Sequence, residues 1–114
     1  TLLNAAELIA VHGCAGKGSA DAYLNEVRTR AGLGNVGANL ESILHERHVE
    51  FMGEGKRYCV LVRLGQAASV LTPANDEGGY RTKAWTENKK YLPFPQSEMD
   101  ATASTQYPLT QNNY

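Results

Sequence analysis

All four prolines, at positions 73, 93, 95 and 108, fall after Thr72, and nothing before it forbids an uninterrupted helix. Proline lacks a backbone N–H and clashes with the preceding turn, so its distribution divides the sequence into two unlike parts. In the first part glycine does the punctuating: Gly13 to Gly18, Gly32 to Gly37 and Gly53 to Gly55 separate segments with apolar residues at helical spacing. Four helices are expected. The first runs from Leu2 to His12 with Leu2, Ala5, Ala6 and Ile9 on one stripe. The second runs from Ser19, an N-cap residue, to Ala31, with Ala20, Tyr23, Leu24, Val27 and Ala31 facing a core. Gly32 then takes the left-handed cap position, with Leu33 folding back toward Val27. The third starts near Asn39 and carries Leu40, Ile43, Leu44 and Phe51. The fourth extends from Lys56 to Ala68 and aligns Tyr58, Leu61, Val62 and Gly65.

Short connections make consecutive helices antiparallel, so residues 1–68 read as two helical hairpins. Repeat arrays normally need about three such units to bury a continuous core, so with two hairpins either something is missing or something else covers them. Residues 69–114 show no sustained helical or strand period, yet they hold six of the nine aromatic residues. Disordered tails are aromatic-poor, which favours an extended strap packed on a helical surface. YLPFPQSEMD, with two prolines one residue apart, follows an extended path within it.

Charge and length exclude several functions. A chain of 114 residues with 11 basic and 12 acidic side chains lacks the basic excess that captures nucleic acid. No apolar run approaches the roughly 20 residues that span a bilayer, and the N-terminal segment lacks the form of a signal peptide. Thr1 stands where an initiator methionine would, which points to processing or truncation. Cys14 and Cys59 are too few for a disulfide framework or a zinc site. Cys59, in an apolar stretch, is expected to be a small buried hydrophobe, and Cys14 sits in a turn.

The third helix contains His45-Glu46-Arg47-His48, but its histidines are at i and i+3 rather than the i and i+4 of a zincin motif. Glu41 lies one turn earlier, so a surface metal site on Glu41, His45 and His48 is the enzyme hypothesis to be weighed. Glu46, Glu50 and Glu54 recur at i+4 spacing and would repel one another without cations. Arg47, Arg57 and Arg63 are expected to supply these. Glu46, Arg47, Glu50, Arg57 and Arg63 therefore form a structural salt-bridge network rather than a pair of catalytic carboxylates, since arginines hold acids ionised. No catalytic residue and no cofactor is assigned. GCAGKGS lacks the spacing of a phosphate-binding loop and reads as a hairpin turn.

Four blocks, DAYLNEVRTRAGL, LESILHERHVEFMGEGKRYCVLVRLGQA, YLPFPQSEMD and TQNNY, occur in that order over residues 21–114. Together they resemble the C-terminal signature of SusD/RagB-type nutrient-binding outer-membrane lipoproteins. Departures from the pattern are local: His48 replaces a frequent arginine, Cys59 and Val60 a usual phenylalanine and aspartate, and Leu64 a usual tryptophan, while QNNY replaces Q-N-P-G-Y. The resemblance implies an all-α fold of tetratricopeptide-like helical hairpins followed by a loop-rich C-terminal strap, as part of a larger SusD-like fold. It implies a non-catalytic, surface-exposed protein of the outer membrane, anchored by a lipid on an N-terminal cysteine outside this chain. Its partners would be an oligosaccharide or peptide ligand, a SusC-like TonB-dependent transporter and the remainder of the parent polypeptide. The alternative is a tetratricopeptide-like interaction module that binds protein and no small ligand. Sugar binding asks for an exposed aromatic face with polar neighbours. Tyr80, Arg81 and Trp85, in the loop after the fourth helix, match it best; packing of the tyrosine and the tryptophan as anchors is the competing expectation.

Overall fold

The computed structural model describes residues 1–113. Among them are six α-helices and no strand: α1 (Leu2–Ala10), α2 (Ala20–Arg30), α3 (Leu40–Glu50), α4 (Arg57–Arg63), α5 (Ala67–Val70) and α6 (Gln96–Thr102). Short 3-10 turns at Pro73–Asn75 and Glu87–Lys90 complete the regular structure. Tyr114, the last residue of the TQNNY block, lies outside the described residues. The chain divides into two compact units, Thr1–Arg57 and the part from Tyr58 onward.

In the first unit, α1, α2 and α3 pack against one another. The start of α2 is set by Ser19, whose hydroxyl accepts from the Ala22 N–H at 3.1 Å. Its end is a Schellman turn: the Leu33 N–H reaches the Arg28 carbonyl at 2.9 Å, the Gly32 N–H the Thr29 carbonyl at 3.0 Å, and Gly32 has φ +74°. Leu33 itself stays half exposed. Asn39 caps α3 reciprocally with Ser42, the Ser42 N–H donating to Asn39 Oδ1 and the Asn39 N–H to Ser42 Oγ. The core consists of Leu3 and Ala6 from α1, Leu24 and Val27 from α2, and Ile43 from α3, with Leu2, Tyr23, Ala38 and Phe51 at its margin. On α1 the buried face carries Leu3, Ala6 and Glu7 rather than the expected Leu2, Ala5, Ala6 and Ile9 stripe. Adjacent leucines leave the apolar pattern ambiguous, and the face that wins brings Glu7 to within 3.8 Å of Arg47.

The fourth expected helix, Lys56 to Ala68, is broken. It stops after Arg63, because Gly65 is not on an apolar stripe but at φ +67°, a conformation that a side chain on Cβ disfavours. The Gln66 N–H donates to the Leu61 carbonyl at 2.8 Å and the Gly65 N–H to the Val62 carbonyl at 3.1 Å, so the end of α4 repeats the Schellman turn of α2. The turn redirects the chain into α5 and lets Leu61 and Ala67 close on Trp85, with Val62, Val70 and Leu71 around them. Cys59 is exposed, against expectation. Val60 and Leu61 take the buried positions on α4, and one residue back along a helix is about 100° round its axis.

The strap is not extended throughout. Pro95, with φ −55°, leads into α6, where Gln96 donates to Asp100 one turn on. Beyond α6 the chain returns to the segment that precedes this helix. Gln111 brackets Phe94, accepting from its N–H at 2.9 Å and donating to its carbonyl at 3.1 Å, while Asn112 donates to the Leu92 carbonyl at 2.9 Å. Proline-containing backbone that cannot join a sheet thus finds its hydrogen bonds in two amide side chains from the closing block.

Candidate functional site

Two groups of polar side chains stand out, one in each unit. In the first, Glu46 is 3% exposed and receives Arg28 Nη1 at 2.7 Å. Arg28 is held in turn by the Gly34 carbonyl, 2.8 Å from Nε. Arg30 Nη2 lies 2.7 Å from both carboxylate oxygens of Glu50. Glu46 and Glu50 therefore take cations from the last turn of α2, where Arg47, Arg57 and Arg63 were expected to supply them. Arg47 turns toward α1 instead, donating to Asn4 Oδ1 at 2.6 Å, with its guanidinium 5.6 Å from the Phe51 ring centre. Lys56 serves Glu54 at 2.6 Å and also faces the Phe51 ring. Arg57 donates to the Leu44 carbonyl at 3.0 Å, and its partial burial pulls its pKa below the ordinary value. Arg63 is exposed on α4. Arg28 and Arg30 were legible as basic residues at a helix C-terminus, but only the packing of α2 on α3 tells which acids they meet.

These pairs fix helix against helix, as planar guanidinium groups between packed helices do. His45 and His48 are exposed on α3. Among the described residues no group of three or more His, Cys, Asp or Glu side chains is placed to hold a metal ion.

In the second unit the loop after α5 separates the three residues singled out for sugar contact. Trp85 is 8% exposed and packs on Leu61 and Ala67. Its indole N–H donates to Tyr58 Oη at 3.1 Å, the Tyr58 hydroxyl donates to the Lys89 carbonyl, and the Trp85 backbone N–H donates to the Leu71 carbonyl at 3.2 Å. Every polar group of the indole is used, and its faces are covered. Tyr80, by contrast, is 91% exposed. It is displayed by a tight turn in which the Asp76 carbonyl accepts from the Gly79 N–H at 3.0 Å and the Asp76 carboxylate accepts from the Arg81 N–H. Gly79 has φ +67°, and a Cβ on Gly78 would lie 2.6 Å from the Tyr80 ring, so both glycines are required by the way the ring lies over the turn. Asp76, Tyr80, Arg81, Thr82, Lys83 and Lys89 line an open depression of about 500 Å³. Lys83 and Lys89 were not singled out from the sequence; their place beside Tyr80 follows from the path of the loop.

The model described as the SusD family matches residues 1–114, and the chain belongs to that family. Surface glycan-binding protein A from Bacteroides thetaiotaomicron is 57% identical with a TM-score of 0.84, over 99% of this chain and 23% of that one. The same protein in complex with laminarihexaose gives 56% identity and a TM-score of 0.83. Surface glycan-binding protein A from Bacteroides fluxus is 41% identical with a TM-score of 0.85, over 97% of this chain and 24% of that one. The chain thus spans about a quarter of the length of these solved relatives. No match was found among curated proteins.

Proposed function

We propose that this chain is the C-terminal portion of a non-catalytic glycan-binding protein of a bacterial outer membrane, which captures oligosaccharide and delivers it to a SusC-like TonB-dependent transporter. The observation that carries the reading is the similarity, over 99% of the chain, to a surface glycan-binding protein solved with laminarihexaose. On this reading residues 1–68 are helical hairpins of the larger fold and residues 69–114 its closing strap, and the remainder of the parent polypeptide is a structural partner. Anchoring is by a lipid on a cysteine outside this chain. Among the described residues no helix is long and apolar enough to cross a membrane.

Within the chain, Tyr80 and Arg81 are the candidate ligand contacts, an exposed ring that can cover the apolar face of a pyranose beside a donor for its hydroxyls. Trp85 holds the loop that carries them. Isothermal titration calorimetry of laminarihexaose into the full-length polypeptide should give saturable binding, weakened by Tyr80→Ala. Absence of binding to laminarihexaose and to a panel of other oligosaccharides would refute glycan capture. Affinity unchanged by Tyr80→Ala would place the ligand surface outside this loop. Co-purification with an outer-membrane barrel after mild detergent extraction tests the transporter partnership.

A further inference from the structure

Resting on the glycan-binding reading, we propose that the depression beside Tyr80 is an acidic-sugar subsite, in which Arg81, Lys83 and Lys89 hold the carboxylate of a uronic acid residue while its ring lies on Tyr80. The argument starts from where positive charge is left uncompensated. Arg28, Arg30, Arg47, Lys56 and Lys90 each face a carboxylate, of Glu46, Glu50, Glu7, Glu54 and Glu87 respectively. Arg81, Lys83 and Lys89 make no ion pair among the described residues, and all three line the same depression. The one acid there, Asp76, is committed to the turn through the Arg81 N–H. Lys89 Nζ makes one long contact, 3.4 Å from the Ala84 carbonyl, and an ammonium has two further donors to offer.

A planar guanidinium with two ammonium groups nearby matches a carboxylate better than a neutral hydroxyl pair, since charge-assisted hydrogen bonds are roughly twice as strong as neutral ones. Tyr80 supplies the flat surface beside them, and Gly78 allows its ring to lie over the turn. The chemistry therefore asks for a sugar that is both a pyranose and an anion.

The test compares two probes on the full-length polypeptide by calorimetry at low ionic strength: laminarihexaose, and laminarihexaose oxidised at C6 so that it carries glucuronate units. The oxidised probe is expected to bind about tenfold more tightly. That advantage should shrink several-fold on going to about 0.5 M salt, where exposed charges are screened within a few ångströms. In the variant Lys83→Gln/Lys89→Gln the ratio of the two affinities should fall toward one, with circular dichroism confirming the fold. Equal affinity for the two probes, or an advantage that survives in the double variant, overturns the acidic subsite while leaving glycan capture intact. Failure of both probes to bind removes the glycan-binding reading and the subsite with it.

Discussion

Replacing Trp85 by alanine separates an anchor from a ligand platform, because the two roles move different observables. A tryptophan covers roughly 150 to 250 Å² of largely apolar surface, worth about 4 to 6 kcal/mol at about 25 cal/mol per Å². The unfolded chain already hides part of that surface, which lowers the figure to the 3 to 5 kcal/mol of a typical large aromatic-to-alanine change (about that range). Trp85 is 8% exposed and contacts Leu61 and Ala67, so nearly the whole side chain contributes. Its loss also leaves Tyr58 with one hydrogen bond, to the Lys89 carbonyl, instead of two. Against a total stability of about 5 to 15 kcal/mol for a folded domain, the change should unfold the second unit or leave it marginal. Urea unfolding followed by far-ultraviolet circular dichroism is the assay, since Trp85 is the chain's one tryptophan and its fluorescence disappears with the substitution. Trp85→Phe, which keeps a ring and loses the N–H, should cost about 1 to 2 kcal/mol. An unfolding curve for Trp85→Ala that overlays the wild type, together with weakened glycan binding, would refute the anchor and make Trp85 a platform.

Three further outcomes are expected. Arg28→Ala should destabilise the first unit by about 2 to 4 kcal/mol, because it strands the buried Glu46 carboxylate, and Glu46→Gln in the same background should recover part of that loss; additive effects in the double-mutant cycle would refute the pairing. Gly65→Ala should cost about 1 to 2 kcal/mol by forcing an L residue into the left-handed region, read as a lower denaturation midpoint, and an unchanged midpoint would show that the turn after α4 is not needed. Tyr80→Ala, at a ring that is almost fully exposed, should leave stability within about 0.5 kcal/mol, and a large loss would mean that the ring is packed in solution.

The sequence carried the local structure where the physics is local. Ser19, Gly32 and Asn39 mark helix ends by their own capping chemistry, and the observed ends of α2 and the start of α3 fall at them. Gly65 was misread because the same residue type serves two purposes: within an apolar repeat it looks like a small stripe residue, and only the backbone path shows it at φ +67°. The candidate loop was legible as a stretch with aromatic and polar residues, but not the division of labour within it. Tyr80 and Trp85 look equally suited to a sugar in the sequence, and their burial, 91% exposed against 8%, is what separates a displayed ring from a packed anchor.

Charge pairing shows the same boundary. That Glu46 and Glu50 need cations follows from their spacing alone, since like charges one turn apart repel. Which arginines answer is a question of distance between helices, and it is settled by the packing of α2 on α3, which sets Arg28 and Arg30 at 2.7 Å from their acids. The family signature, the helix caps and the demand for counter-ions belong to the sequence, because each rests on residues that are neighbours along the chain or on one helix. Partner choice, the broken fourth helix and the display of Tyr80 belong to the tertiary structure, because each depends on groups that meet only when separate segments fold together.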